Sequence, residues 1–282
     1  IRVPASYQGL WGLRTTHGLV PRQGLLPLAQ TFDTVGWLTR DGATLQRVAD
    51  WCLSYDGSES TESVFGESGV ELPWNFLVPT EFLEAAEPAT RDSFDALLTA
   101  LAATEQPPPV ATISIGELAR YQEAFRIVQG AEAWRNHGDW IREHPNALGS
   151  AVAQRMRAAS EVTAAQESAA RAEISLLREG LTATVANHVL LAPTVPGPAP
   201  SRATATTDAL RTGTLRMTTP AAVAGLPAIS APLLTVASGL GPAPVGLTLI
   251  SRAGTDIALV RLARRLAATI DATRPGSPRS SS

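Results

Sequence analysis

The sequence predicts an α/β sandwich. Segments with apolar residues every three or four positions alternate with short apolar runs, and the chain has no internal repeat. Helices interleaved with short buried strands are typical of this fold class. The chain has 282 residues, of which 44% are apolar and 17% are charged, as in an ordinary globular protein.

The first half of the chain is predicted to alternate turns, short strands and helices. Glycines recur within residues 1–41 and indicate tight turns between short strands. The predicted helices cover residues 45–53, 88–104 and 117–134, and the predicted strands cover residues 75–79 and 110–115. Residues 54–72 are polar and are expected to form a surface loop.

The second half is predicted to hold the longest helical region and the most deeply buried strand. Apolar or small residues recur at helical spacing from 148 to 185, which predicts one buried stripe on one or two helices. Residues 189–192 show no polar alternation, so both faces of that strand should be buried. The remaining elements are a partial helix at 210–223, a hairpin of 228–234 with 244–250, and a last helix that starts near Thr255.

Charge, cysteine content and hydropathy indicate which partners and which compartment to expect. A net charge of −3 does not indicate a nucleic-acid partner or an anionic membrane surface. The single cysteine, Cys52, cannot form an internal disulfide and fits a reducing compartment, so a cytoplasmic location is expected. No apolar run approaches the ~18 residues that a membrane span needs.

Several motifs, in a fixed order, carry a family resemblance. The opening Ile1-Arg2-Val3-Pro4-Ala5 is similar to the run that directly follows the nucleophilic serine of the amidase signature family. The later motifs are FDTVG at 32–36, FRIVQGAEAWRNHGDWI at 125–141, LAPTVPGPAP at 191–200, AGLPA at 224–228 and PVGL at 244–247. The stretch at 125–141 resembles amidases of the plant amidase 1 and indoleacetamide hydrolase type.

The resemblance implies an α/β/α sandwich with a mixed sheet flanked by helices. Residues 1–273 would be the C-terminal part of a single amidase domain, and the N-terminal half of the domain would lie outside this sequence. Residues 274–282 are rich in proline, serine and arginine and are expected to form a flexible tail. The implied activity is cleavage of carboxamides to carboxylate and ammonia by a Ser–Ser–Lys relay.

The basic residues of this chain cannot supply the lysine base of that mechanism. All 23 are arginine, and a guanidinium does not lose its proton at working pH, so it cannot replace the lysine base. We therefore assign no catalytic residue to this chain and expect it to be inactive alone. Ser6 is interpreted as a packing residue, because nothing in the sequence pairs it with a base.

Six residues are candidates for the site. Thr194, Met217 and Trp134 are predicted to contact substrate: Thr194 because a strand end in an open α/β sheet faces the ligand crevice, Met217 by the family resemblance, and Trp134 as an aromatic side chain that could equally belong to the core. Ile1, Arg2 and Asp33 are expected near the active site in structural roles. Arg2 would either brace the nucleophile loop or form an ion pair with Asp33, and the ion pair is favoured because guanidinium–carboxylate pairs usually fix loops.

No cofactor or metal is expected. The four histidines are scattered without ligand spacing, and one cysteine cannot build a zinc site. A small amide is the expected partner, and a homo-oligomer is compatible with the sequence. The alternative function is a non-catalytic, amidase-like docking module of the kind found in some organelle-import receptors; a component of an amidotransferase is a weaker third possibility.

Overall fold

The computed structural model describes residues 1–54, 70–201, 208–239 and 241–273. The helices are α1 (Arg2–Gln8), α2 (Gly42–Ser54), α3 (Thr80–Ala85), α4 (Pro88–Ala102), α5 (Leu118–Glu143), α6 (Ser150–Ser160), α7 (Ala164–Thr184), α8 (Asp208–Ala224) and α9 (Asp256–Thr273). The strands are β1 (Trp11–Arg14), β2 (Gly36–Thr39), β3 (Phe76–Pro79), β4 (Val110–Ile113), β5 (Val189–Pro193), β6 (Ala228–Ser238) and β7 (Gly241–Ile250).

All seven of these strands belong to one mixed sheet in the order β2-β1-β6-β7-β5-β3-β4. β3 pairs in parallel with β4 and β5, and the other neighbours are antiparallel. The hairpin predicted from the sequence is formed by β6 and β7, and it lies at the centre of the sheet. The predicted α/β fold is confirmed.

The two faces of the sheet bury separate cores. Side chains alternate along a strand, so in β5 Val189 and Leu191 join one core and Leu190 joins the other. The first core is covered by α2, α4 and α9, and the second by α5, α7 and α8. Every residue of β5 is buried, as its lack of polar alternation predicted.

Two helical predictions were wrong in extent. The helix predicted to end at Trp134 continues to Glu143. Its later turns contact distant neighbours, since Arg135 binds Glu167 of α7 and His137 contacts the Pro27 carbonyl. The stripe predicted from 148 to 185 is buried only in its later part. In α6, Val152 is 41% exposed and only Ala159, which faces Gly130 of α5, is buried.

Some predictions cannot be compared with the fold. Most of the predicted loop at 54–72 and the whole tail at 274–282 lie outside the described residues. Within the described ranges, no helix combines the length and the apolar character needed to cross a bilayer.

Candidate active site

The start of the chain meets α5 and α8 at a cavity of about 220 Å³. Its walls come from the opening residues, the end of β1, the turn before β2, and one face each of α5 and α8. The lining residues are Ile1, Arg2, Val3, Arg14, Phe32, Asp33, Phe125, Gln129, Leu215, Thr218, Thr219 and Ala222.

Helix α1 fixes the opening residues at this cavity. Gly9 ends the helix in a left-handed conformation, with φ of 64°, that favours glycine. The buried Ser6 Oγ accepts a 2.7 Å hydrogen bond from the Gly246 amide of β7. The helix is therefore pinned to the central hairpin, and Ser6 has the packing role predicted for it.

Arg2 and Arg14 place two guanidinium groups beside the cavity. Arg2 is 5% exposed, and its Nη2 donates to the Thr218 carbonyl of α8 at 2.5 Å. Arg14 Nη2 donates to the Phe32 carbonyl at 3.0 Å. Burial, together with the nearby charge of Arg14, lowers the pKa of Arg2 to about 9. Burial also lowers the pKa of Arg14 to about 10, against the opposing effect of Asp33, so both groups are cations at neutral pH.

The predicted ion pair between Arg2 and Asp33 is wrong. The Asp33 carboxylate turns back on its own loop and accepts the amides of Leu28 and Ala29, both at 2.9 Å. Arg2 instead extends to α8, and its Nη1 has no hydrogen-bond partner among the described residues. Ile1, Arg2 and Asp33 nevertheless all line one cavity, although that cavity's role as an active site is a proposal.

One face of α5 and one face of α8 form the far wall. Phe125 and Gln129 are four residues apart on α5 and therefore share a face. The Phe32 and Phe125 rings pack with centroids 4.5 Å apart at 45°. On α8, the lining residues are Leu215, Thr218, Thr219 and Ala222, whose spacing also marks a single face.

A charged network holds the turn that carries Phe32. Glu132 of α5 accepts a 2.9 Å hydrogen bond from the Thr31 amide through Oε2. Its Oε1 forms an ion pair with Nη2 of Arg171 on α7 at 2.6 Å. Burial alone would raise the pKa of Glu132, but the hydrogen bonds from Thr31 and Arg171 lower it overall. The network continues through Glu167, which Arg135 of α5 binds through two nitrogens.

Thr194 belongs to a buried hydroxyl cluster rather than to the cavity wall. Its Oγ1 lies 2.9 Å from Ser230 Oγ and 2.8 Å from Thr248 Oγ1, and its amide donates to the Gly246 carbonyl. A Cβ at Gly246 would overlap Ser230 Oγ, so glycine is required for this close approach. The substrate role predicted for Thr194 remains a prediction, and its observed contacts are structural.

Met217 and Trp134 are also absent from the residues that line this cavity. Met217 is 1% exposed and packs in a small core with Phe82 and Leu118. Trp134 is half-buried, with the Arg142 guanidinium 5.5 Å from its ring centroid. Their predicted contact with substrate is untested, and both positions serve packing.

The sequence analysis did not identify Phe125, Gln129 or the lining face of α8. One signal was available for the first two, since they lie one helical turn apart inside the family-like stretch at 125–141. No comparable signal distinguished Thr218 from Met217, because helix rotation follows from packing. Among the described residues, no cluster of three or more His, Cys, Asp or Glu could hold a metal ion.

Comparison with known proteins identifies relatives of this chain. The family model described as Amidase matches residues 1–260. Amidase 1 of Arabidopsis thaliana is 30% identical over 96% of this chain and 68% of its own length. A glutamyl-tRNA(Gln) amidotransferase component of Methanothermobacter thermautotrophicus is 28% identical over 95% of this chain and 61% of its own length.

Solved structures agree with the sequence matches. A crystal structure of an amidase superposes with a TM-score of 0.78 at 27% identity, and the matched region covers 94% of this chain and 60% of the amidase chain. A glutamyl-tRNA(Gln) amidotransferase component of Thermotoga maritima superposes with a TM-score of 0.73 at 23% identity, which supports the fold alone. This chain therefore spans about 60 to 68% of the length of these relatives. The resemblance inferred from the motifs is confirmed, and the chain belongs to the amidase family.

Proposed function

We propose that this chain is part of a hydrolase that converts carboxamides to carboxylates and ammonia, and that it forms the wall around the acyl group. The convergence of Ile1, Arg2 and Asp33 at one cavity supports this function most directly. By resemblance, Ile1 follows the nucleophilic serine, so a substrate attacked there would extend its acyl group into this cavity.

The proposed reaction is acyl transfer through a serine ester. The serine Oγ attacks the amide carbonyl carbon, and its proton passes through a bridging serine to a neutral lysine. The C–N bond then breaks, and the nitrogen leaves as ammonia after it receives a proton. Water attacks the ester, releases the carboxylate and restores the serine hydroxyl.

The groups for this relay are proposed to lie outside residues 1–282. The sequence contains no lysine, and the described serine closest to the chain start, Ser6, is buried and hydrogen-bonded to Gly246. The residues present suit a supporting role, because Arg2 ties α8 to the opening residues and Arg14 ties the Phe32 turn to β1. A small amide is thus the proposed partner, and homo-oligomer formation remains a prediction.

The alternative function is a non-catalytic docking module. One observation bears on it: a relative that is named for its location and not as an enzyme, outer envelope protein 64 of the Arabidopsis thaliana chloroplast, is 24% identical over 50% of this chain and 26% of its own length. The hydrolase is preferred because relatives named as amidases match over nearly the whole chain.

The test uses the full-length protein encoded by the gene that contains residues 1–282. A fluorophosphonate probe should label one serine directly before Ile1, and aryl and alkyl carboxamides should release ammonia. Alanine at that serine should abolish both signals, whereas the 282-residue chain alone should show neither. A folded full-length protein that neither reacts with the probe nor releases ammonia would favour the docking module.

A further inference from the structure

We propose that the cavity selects carboxamides whose acyl group is a neutral aromatic ring with a hydrogen-bonding substituent, which Gln129 binds while Phe125 packs on the ring. The inference rests on the proposed amide hydrolysis and adds a substrate class and a specificity-determining residue to it.

The walls of the cavity favour a ring, and the part that the described residues form has room for one. Its volume is about 220 Å³, and an engineered apolar cavity of ~150 Å³ is large enough to bind benzene. The tilted Phe32–Phe125 pair presents an aromatic surface, and Leu215 and Ala222 add apolar contacts. Aromatic rings pack favourably in tilted and offset arrangements, so a flat ring fits this wall better than a flexible alkyl chain.

Gln129 supplies the polar element of that wall. Its carboxamide lines the cavity and makes no hydrogen bond with the described residues, whereas Gln122 on the same helix accepts one from Arg216. A carboxamide offers both a donor and an acceptor. Gln129 is half-buried, and a ligand that covers a polar group without pairing it binds less well. Gln129 should therefore favour a ring with a hydroxyl or similar substituent.

The two guanidinium groups limit the charge of the ligand. Each uses Nη2 to hold a backbone carbonyl of the wall, at Thr218 for Arg2 and at Phe32 for Arg14. The nitrogens left without a partner among the described residues, Arg2 Nη1 and Arg14 Nε, are fully enclosed by protein. These side chains therefore brace the wall, and their positive charge disfavours a substrate with an ammonium group.

The test compares kcat/KM values of the full-length protein. The substrates are phenylacetamide, its 2-, 3- and 4-hydroxy isomers, its 4-carboxy and 4-aminomethyl derivatives, cyclohexylacetamide and hexanamide. At least one hydroxy isomer should exceed phenylacetamide by about tenfold. Gln129→Met and Gln129→Ala should each reduce that ratio to about twofold or less, whereas Gln154→Leu, at an exposed position on α6, should leave it unchanged.

The outcomes separate a failure of this inference from a failure of the amidase proposal. Hydrolysis of hexanamide or cyclohexylacetamide with no preference for a hydroxylated ring would overturn the inference and leave the amidase proposal standing. A preference for the hydroxylated ring that persists in both Gln129 variants would also overturn the inference. So would a 4-carboxy derivative that is the best substrate, which would indicate that the arginines recognise the substrate instead. Failure of every amide together with no probe labelling would overturn both proposals.

Discussion

At the scale of single residues, the rotation of α8 decides which side chains meet the cavity. Leu215, Thr218, Thr219 and Ala222 follow one another at intervals of three, one and three residues, and so lie on one face. Met217 lies about 100° around the helix from Thr218 and enters a separate core. The sequence pointed to the segment that forms this helix, but helix rotation depends on neighbours that a sequence pattern does not specify.

Alanine substitutions at Leu215 and Met217 should therefore have different effects. Met217→Ala leaves a void in a closed core and should destabilise the full-length protein by about 2–5 kcal/mol. Leu215→Ala widens the cavity and should change the kcat/KM ratio of bulky to small amides by about tenfold. Urea unfolding and steady-state kinetics measure the two effects. If Met217→Ala changed the substrate ratio more than Leu215→Ala, the predicted substrate role of Met217 would be supported instead.

At the scale of elements, the site depends on a turn that is tied to two helices. The segment before Phe32 is held through Thr31 to Glu132 of α5, and Glu132 is joined to α7 by Arg171. His137 of α5 also contacts the Pro27 carbonyl at 2.7 Å. These long-range contacts hold the turn whose residues Phe32 and Asp33 line the cavity. No local pattern predicts them, since the partners lie 39 to 110 residues apart in the sequence.

The stability contributed by Glu167 should depend on pH. Hydrogen bonds from Arg135 and Arg171 lower the pKa of this carboxyl from 4.5 to about 2. Because the folded-state pKa is the lower one, the stabilisation is complete above the unfolded value and is lost as pH falls from about 4.5 towards 2. Glu167→Gln should cost about 1 kcal/mol at pH 7 and progressively less below pH 4.

Urea unfolding at several pH values between 3 and 7 measures this difference in the full-length protein. Glu179→Gln is the matched control, because Glu179 is an exposed carboxyl on the same helix. Its effect should be small at every pH. A Glu167→Gln cost that is the same at pH 3 as at pH 7 would contradict the ion-pair explanation.

Helices and strands were predicted correctly where their own residues determine the burial pattern, and less well where distant neighbours determine it. Strand β5 and helices α4 and α9 followed from residue periodicity, since their own side chains carry the burial pattern. The extent of α5 and the exposure of α6 did not follow, because they depend on whether a neighbour covers the helix. The motifs predicted the family correctly. They also contained Gln129, but which face of α5 meets the cavity follows from the packing of the helix and not from its own residues.

At the scale of the whole molecule, one edge of the sheet is poorly covered in the described residues. β4 is the last strand in the sheet order, with β3 as its neighbour. Val110, Ala111 and Thr112 are all exposed although adjacent residues face opposite sides of a sheet. Both faces of β4 and its outer edge are therefore accessible. An uncovered strand edge can pair with another chain.

The isolated 282-residue chain should consequently associate through this edge. Light scattering should rise with protein concentration, together with binding of a dye that detects exposed apolar surface. Val110→Lys should reduce the scattering, since a charged side chain on an edge strand opposes pairing with another strand. Val152→Lys is the matched control, because Val110 and Val152 are 40% and 41% exposed but Val152 lies on α6. A monodisperse chain that melts cooperatively above about 60 °C, or equal effects of the two lysines, would show that β4 does not drive association.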